Sequence, residues 1–296
     1  MEAAGQNISE KSLAVIRTMQ QNELTESATY TAVAAHIKND HNKETLLRLA
    51  AEERAHYEIW KTYTGQELKP QKMRVLWRKL LSIVLGFTFV VKQMENGENA
   101  AQDIYKALAQ EVPESVKICA DEAAHEAALL DILDEERLQY VGSVVLGLND
   151  ALVELTGTLA GLTLALQNTR IIALSGLITG ISATLSMASS EFLSAKSEGR
   201  TDALKSCTYT GIAYLITVTL LILPYLLLPD AAYLWALGIM LVTVVLIIFV
   251  FNYYVSVAKS LPFKRRFLEM ACISLGVATL SFVAGIFVKQ WLGVEI

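Results

Sequence analysis

Cysteine is scarce in this 296-residue sequence, and the three that occur, Cys119, Cys207 and Cys272, are far apart. Their spacing matches neither a zinc site nor a disulfide framework, so we expect no disulfide-bonded fold. The sequence also lacks a basic patch interleaved with aromatic residues, and its formal net charge is −5. Because nucleic-acid-binding domains typically carry such a patch, we expect no nucleic-acid partner.

The N-terminal segment, Met1 to Glu10, is polar and lacks the apolar core of a secretory signal. We therefore expect the N-terminal half to stay on the side of the membrane where it is made. All four histidines and most charges precede residue 141, whereas Leu, Ile, Val, Ala and Gly dominate the C-terminal half. The length allows two domains, and this contrast predicts an all-α chain divided into 1–140 and 141–296.

Five segments of the C-terminal half reach the roughly 20 apolar residues that a helix needs to cross the hydrocarbon core of a bilayer. They lie at about 142–166, 171–194, 208–228, 231–257 and 267–292. A core helix of a soluble protein would show a polar residue every third or fourth position, and residues 244–251 show none. The sequence therefore predicts an integral membrane domain with five spans.

Basic residues concentrate in two of the four predicted loops. The loops after the second and fourth spans contain Lys196, Arg200, Lys205, Lys259, Lys264, Arg265 and Arg266. The loop after the first span contains Arg170, and the loop around Pro229 contains no basic residue. Because loops rich in Lys and Arg stay cytoplasmic, we predict a cytoplasmic N-terminal domain and an external C-terminus.

Four residues in the first two spans are candidates for a cation path. Asp150 and Glu154 lie one turn apart and share a helix face, and Met187 and Glu191 lie near the cytoplasmic end of the second span. Acids inside spans usually mark a transport route, and carboxylates with a thioether favour Fe²⁺ over Mg²⁺. Two alternatives stay open: Glu191 could reach the interface, and Met187 could fill a packing gap.

Two motifs in these spans resemble the vacuolar iron transporter family. Asn149-Asp150-Ala-Leu-Val with the Gly-rich stretch 156–161 is similar to the family's first helix, and Ser186-Met-Ala-Ser-Ser-Glu-Phe-Leu-Ser194 is similar to its second. The resemblance implies a proton-coupled homodimer in which Asp150 and Met187 line the metal path, with Glu191 a further candidate. The long Glu-rich insertion of eukaryotic members is missing, since the link at 196–206 is short.

The N-terminal half contains an internal repeat, which is a pattern to seek before naming a fold. Each copy has Glu-x6-Tyr followed by Glu-x-x-His. The residues are Glu23, Tyr30, Glu53 and His56 in the first copy, and Glu98, Tyr105, Glu122 and His125 in the second. Composition and the breakers between segments predict helices near 9–39, 43–64, 95–111 and 114–139.

The repeat predicts a two-metal site. Glu and His three residues apart project from one helix face, and a di-metal bundle needs one Glu from each of two helices plus Glu-x-x-His from each of the other two. The predicted ligands are Glu23, Glu53, His56, Glu98, Glu122 and His125, with Tyr30 and Tyr105 as hydrogen-bond partners of the carboxylates. The acids Glu26, Glu52 and Glu126 could be extra ligands or surface charge, and we favour surface charge.

This half resembles the rubrerythrin-type, ferritin-like four-helix bundle, and the whole chain resembles the membrane-bound ferritins. The resemblance implies a di-iron site, in which Mn or Zn could replace Fe. Between the two repeats, residues 73–92 are basic early and apolar later. The apolar run is too short to span, so we favour an amphipathic helix at the membrane surface, with packing on the bundle or on a partner subunit as the alternative.

The favoured function is export of Fe²⁺ or Mn²⁺ from the cytosol in exchange for protons. The bundle would capture the metal and deliver it, or sense it and open the pore. The alternative is a membrane-anchored ferroxidase or peroxidase that uses the same six ligands. The expected partners are the metal ion, protons, the lipid bilayer and a second copy of the chain.

Overall fold

The computed structural model describes residues 8–99, 108–131 and 140–292, and these residues form helices with no strand among them. The chain divides into two compact units, with the boundary between residues 135 and 136. The first unit contains α1 (Glu10–Ala34), α2 (Asp40–Thr64), α3 (Lys72–Leu85), α4 (Phe87–Asn99) and α5 (Glu114–Asp131). The second contains α6 (Val141–Leu166), α7 (Thr169–Ser197), α8 (Ala203–Leu227), α9 (Tyr233–Ala258) and α10 (Phe263–Leu292).

Helices α1 and α2 form an antiparallel pair whose ends are set by local side chains. Ser9 caps α1 by accepting a hydrogen bond from the Ser12 backbone N–H at 3.2 Å, and Asn39 caps α2 through the Asn42 N–H at 3.1 Å. Such caps satisfy N–H groups that have no partner inside a helix. Because Asn39 must be extended to cap α2, α1 ends at Ala34, five residues before the predicted end.

The third predicted bundle helix, expected near 95–111, starts earlier in the structure than its composition indicates. Helix α4 begins at Phe87, directly after Gly86, and Phe87, Val91 and Met94 are buried. Residues 100–107 lie outside the described residues, as does the predicted part of the fourth bundle helix after Asp131. The predicted crossover at 73–92 is therefore two helices, α3 and the start of α4, because Gly86 adopts a φ of +97° that interrupts the helix.

In the second unit, the described residues include five helices long and apolar enough to cross a membrane. Their bounds agree with the five predicted segments to within a few residues, so the prediction of five apolar helices is confirmed. The core between them is formed by residues such as Tyr214, Tyr225, Met240 and Ile248, all fully buried. The outward faces of these helices carry many exposed Leu, Ile and Val side chains, as expected for surfaces in contact with lipid.

Helix α6 packs closely on its neighbours through small residues. A Cβ atom added to Gly285 of α10 would lie 2.6 Å from the backbone oxygen of Gly161 on α6, and one added to Gly161 would lie 3.2 Å from the Ser281 oxygen. Glycine at these positions lets the two backbones approach, as at many helix contacts in membranes. The Gly-rich stretch at 156–161 is therefore a packing surface between α6 and α10.

Candidate metal centre and membrane polar clusters

Four predicted metal ligands meet inside the first unit. Helix α1 contributes Glu23, α2 contributes Glu53 and His56, and α5 contributes Glu122. One potential ligand atom from each lies within 4.8 Å of all the others, and all four residues are buried. Glu53 and His56 converge because positions three apart share a face of α2, as the sequence pattern predicted.

His125 joins this cluster from α5. Its Nδ1 lies 3.2 Å from Oε1 of Glu53 and 3.5 Å from Oε2 of Glu122. Nδ1 of His56 faces the same carboxylates, 3.7 Å from Oε2 of Glu53 and 3.4 Å from Oε1 of Glu122. The two imidazole rings stack with their centroids 5.6 Å apart, so the described part of the centre has approximate two-fold symmetry.

The outer nitrogen of each histidine faces an acid that precedes a predicted ligand. Nε2 of His125 lies 2.7 Å from Oε2 of Glu52, and Nε2 of His56 lies 3.3 Å from Oδ2 of Asp121. Carboxylates in this position typically fix the tautomer and orientation of metal-binding histidines. Glu52 was interpreted as surface charge and Asp121 was not singled out. The signal available in the sequence was an acid directly before each Glu-x-x-His.

Trp60 was also missed by the sequence interpretation. It is fully buried on α2, and its Nε1–H donates a hydrogen bond of 3.1 Å to Oε1 of Glu23. Trp60 lies seven residues after Glu53 on the same helix, so about two turns separate the indole from that carboxylate. The indole thereby holds one oxygen of Glu23 and leaves the other directed to the cluster.

Burial and the neighbouring charges together raise the pKa values of Glu53 and His56 and lower the pKa of Glu122. Burial, followed by the nearby carboxyls of Glu23 and Glu122, raises the pKa of Glu53 well above its ordinary value. Burial disfavours the His56 cation, but contacts with Glu122 and Glu23 outweigh it and raise the pKa of His56 to about 10. Burial opposes ionisation of Glu122 as well, yet His125 and His56 lower the pKa of its carboxyl. In the metal-free cluster His56 therefore carries a proton at neutral pH.

The chemistry of this donor set fits a divalent cation. Several buried atoms make no hydrogen bond of normal geometry among the described residues, namely both carboxylate oxygens of Glu53, Nδ1 of His56 and of His125, and Oε2 of Glu122. Unsatisfied buried polar atoms are costly, and a cation among them would satisfy several at once. Carboxylate and imidazole donors suit Fe²⁺, Mn²⁺ or Zn²⁺, so this cluster could hold such a metal.

Four further residues of the first unit were singled out by the sequence: Glu26, Tyr30, Glu98 and Tyr105. Tyr30 is buried on α1, and Glu26 lies 3.6 Å from Nη1 of Arg78 on α3. The backbone of Glu98 belongs to α4, but its side chain lies outside the described residues, as does Tyr105. The four-helix arrangement and the full set of six ligands therefore stay predictions.

A first polar cluster in the membrane unit lies around Glu154. The hydroxyl of Tyr214 on α8 donates a hydrogen bond of 2.8 Å to Oε2 of Glu154 on α6. Tyr214 is fully buried, whereas Glu154 is exposed and Asp150, one turn earlier, is half-buried. The two predicted path acids thus lie on consecutive turns of α6. The contact between Tyr214 and Glu154 was not indicated by the sequence.

A second polar cluster is centred on Glu191. Oε1 of Glu191 accepts hydrogen bonds from Ser143 of α6, at 3.1 Å, and from Ser206 of α8. Nη1 of Arg200 lies 3.9 Å from the same oxygen. Ser143 precedes Asp150 by seven residues, about 10 Å along the helix axis, so Glu191 and Asp150 occupy separate levels. Met187, one turn from Glu191, is half-buried against the core.

Comparison with known families supports the interpretation of the membrane unit. Residues 141–203 match the model of the VIT family. No curated protein and no solved structure matches the chain. The matched segment contains α6, α7 and the loop to α8, and so includes the four predicted path residues. With the five apolar helices, this match supports a membrane domain of the vacuolar iron transporter type.

Proposed function

We propose that this protein moves Fe²⁺ or Mn²⁺ out of the cytosol in exchange for protons, and that its N-terminal unit captures the metal. The observation that carries the proposal is the buried cluster of Glu23, Glu53, His56 and Glu122 in a chain whose residues 141–203 match the VIT family. A family domain associated with metal transport and a separate set of metal-type donors point to the same class of substrate.

The first unit would bind metal through its carboxylates and the inner nitrogens of its histidines. Glu53 and Glu122 face both histidines, so both carboxylates would help to hold a metal together with either histidine. The proton on His56 must leave when the cation enters, because metal ligands bind in their deprotonated form. Metal capture at this site is therefore coupled to proton release.

The membrane unit would carry the cation through its two polar levels. Glu191, with its serine donors, lies near the end of α7, close to the basic loop that contains Arg200. On α6, Asp150 lies about two turns and Glu154 about three turns beyond Ser143, the contact of Glu191. Positive loops favour a cytoplasmic position for this end, so Glu191 would meet the metal first in an outward path. By resemblance to the family, the working unit would be a homodimer.

Flux through reconstituted protein tests the proposal. The full chain in proteoliposomes should transport Fe²⁺ under anaerobic conditions, and Mn²⁺ as an alternative substrate. Asp150→Ala should abolish this flux, while Glu58→Gln, at an exposed position on α2, should leave it unchanged. Flux that survives Asp150→Ala would overturn the membrane path.

A second variant separates metal capture from transport. Glu53→Gln removes a central carboxylate and keeps its shape, so it should eliminate tight metal binding by the first unit. If the bundle delivers or senses the metal, flux at low metal concentration should fall while flux at high concentration persists. Equal flux at all concentrations would show that the bundle has another purpose.

The alternative is oxidation of Fe²⁺ by O₂ or peroxide at the first unit, with the membrane unit partly an anchor. The favouring observation is the burial of the cluster, since Glu53 is 0% and Glu122 6% exposed. When bound, a pair of iron ions would supply redox chemistry, and the protein would position and shield it. Rapid peroxide consumption by anaerobically loaded protein, lost in both Glu53→Gln and His56→Gln, would favour this alternative, and its absence would exclude it.

A further inference from the structure

Helix α3 exposes a continuous apolar stripe. Its exposed large apolar side chains recur every three or four residues, the spacing of one helix face. They are Met73, Leu76, Trp77, Leu80, Ile83 and Val84, with exposed fractions from 48% to 79%. None of the residues of α3 is buried, although the helix belongs to a compact unit. An apolar face of this length on a protein surface usually marks an interaction site.

The opposite side of α3 is attached to the bundle. Arg78 lies 3.6 Å from Glu26 on α1, and both side chains are only 14% exposed. At the start of α3, the backbone N–H of Gln71 donates a hydrogen bond of 3.3 Å to Oγ1 of Thr25. After α3, Gly86 breaks the helix and Phe87 enters the core. The apolar stripe is thus presented outward on a helix that is already folded.

The charges of α3 are of one sign. Lys72, Arg74, Arg78 and Lys79 are its only charged residues, and no acid lies between positions 72 and 85. Arg78 pairs with Glu26 on the bundle side, so two copies of α3 packed face to face would bring the other three cations of each copy together, which disfavours a symmetric contact between copies. An anionic surface complements Lys72, Arg74 and Lys79 beside the apolar stripe. A lipid bilayer is such a surface, and the same chain contains five helices that can cross one.

We propose that α3 is a membrane-surface helix whose apolar stripe lies in the interface of the bilayer, with Lys72, Arg74 and Lys79 in contact with anionic lipid headgroups. Trp77 suits this depth, because its ring is apolar and its indole N–H is polar. No folding step opposes binding, since α3 is helical and fixed on α1 beforehand. The bundle would then be held at the membrane surface, independently of whether the chain transports metal or oxidises it.

Spin labels on the full chain in nanodiscs that contain anionic phosphatidylglycerol test this proposal. With the three cysteines replaced by Ala, labels would be attached in L76C and L80C, and in A55C as a matched control on the exposed side of α2. We expect labels 76 and 80 to be accessible to O₂ and shielded from a water-soluble nickel complex, and label 55 to behave in the opposite way. Zwitterionic lipid should move labels 76 and 80 toward water.

Two results would overturn the proposal. Labels 76 and 80 that meet the nickel complex as readily as label 55 would place the stripe in water. Labels that are immobilised and shielded from both reagents would place it against protein, as in a contact with a second copy. A second measurement needs no cysteine replacement: quenching of tryptophan emission by brominated phosphatidylglycerol should be greater in the unmodified protein than in W77F, and equal quenching would contradict lipid contact.

Discussion

Nε2 of His125 lies 2.7 Å from Oε2 of Glu52, while Nδ1 of the same ring lies 3.2 Å from Oε1 of Glu53. One imidazole therefore connects a half-exposed acid to a buried one. The pair formed by His56 and Asp121 repeats this relationship on the other side of the cluster. Such outer acids hold a histidine in the orientation that directs its inner nitrogen to a metal.

Loss of Glu52 should weaken metal binding without removing a ligand. We expect Glu52→Ala to lower the affinity for Mn²⁺ by about 10- to 100-fold, as loss of a carboxylate that orients a metal-binding histidine typically does. Calorimetric titration of the full chain in detergent would measure it. The matched control is Glu58→Ala, because Glu58 pairs with Arg54 at 3.0 Å as Glu52 pairs with Arg48 at 3.1 Å. Equal affinities for the two variants would contradict an orienting role for Glu52.

The metal-free first unit should lose stability as the pH rises. The folded-state pKa of His56, about 10, exceeds its ordinary value of 6.5. The resulting stabilisation is fully present below pH 6.5 and disappears as the pH rises toward 10. The raised pKa of Glu53 acts in the same direction, because the folded state then binds more protons than the unfolded state.

Thermal unfolding of the full chain with a chelator, followed across this pH range, would measure that loss. His56→Gln should remove the part of the pH dependence that belongs to His56. With Mn²⁺ in excess the trend should reverse, since protons compete with the metal for the same atoms. A pH dependence identical in the unmodified protein and His56→Gln would contradict the assignment.

Tyr214→Phe should slow metal flux. The substitution removes the hydroxyl that donates to Glu154 and leaves this predicted path acid less well oriented, so we expect a several-fold decrease in proteoliposomes. Tyr225→Phe is the matched control, because Tyr225 is also buried on α8 but its hydroxyl pairs with Thr163 at 2.7 Å. Each variant should lose about 1 kcal/mol of stability, and equal flux in both would exclude a specific role for Tyr214.

Gly285→Ala should destabilise the membrane unit, because the added Cβ would lie 2.6 Å from the backbone oxygen of Gly161. Separating the helices should cost about 1–3 kcal/mol, visible as a lower unfolding temperature in detergent. Gly276→Ala on the same helix meets nothing within 4 Å and should be neutral or stabilising, since Ala favours helix over Gly. A lower unfolding temperature in Gly276→Ala would indicate that α10 packs differently.

Sequence periodicity was sufficient to predict the features that depend on a single helix. The five apolar helices follow from length and composition. The convergence of Glu53 with His56 follows from three-residue spacing on α2, and that of Glu122 with His125 from the same spacing on α5. The break at Gly86 was missed, because glycine inside a helical pattern is often tolerated and only the burial of Phe87 required the chain to turn there.

By itself, the sequence determined the all-helical class, the five apolar helices and the acids and histidines that could bind metal, since these depend on local spacing and composition. The tertiary structure decided which groups meet. It brought Glu52 to His125, Asp121 to His56, Tyr214 to Glu154, and Ser143 with Ser206 to Glu191. An acid on an exposed helix face has the same local pattern whether or not a neighbouring helix places a histidine against it. Only packing between helices distinguishes the two cases.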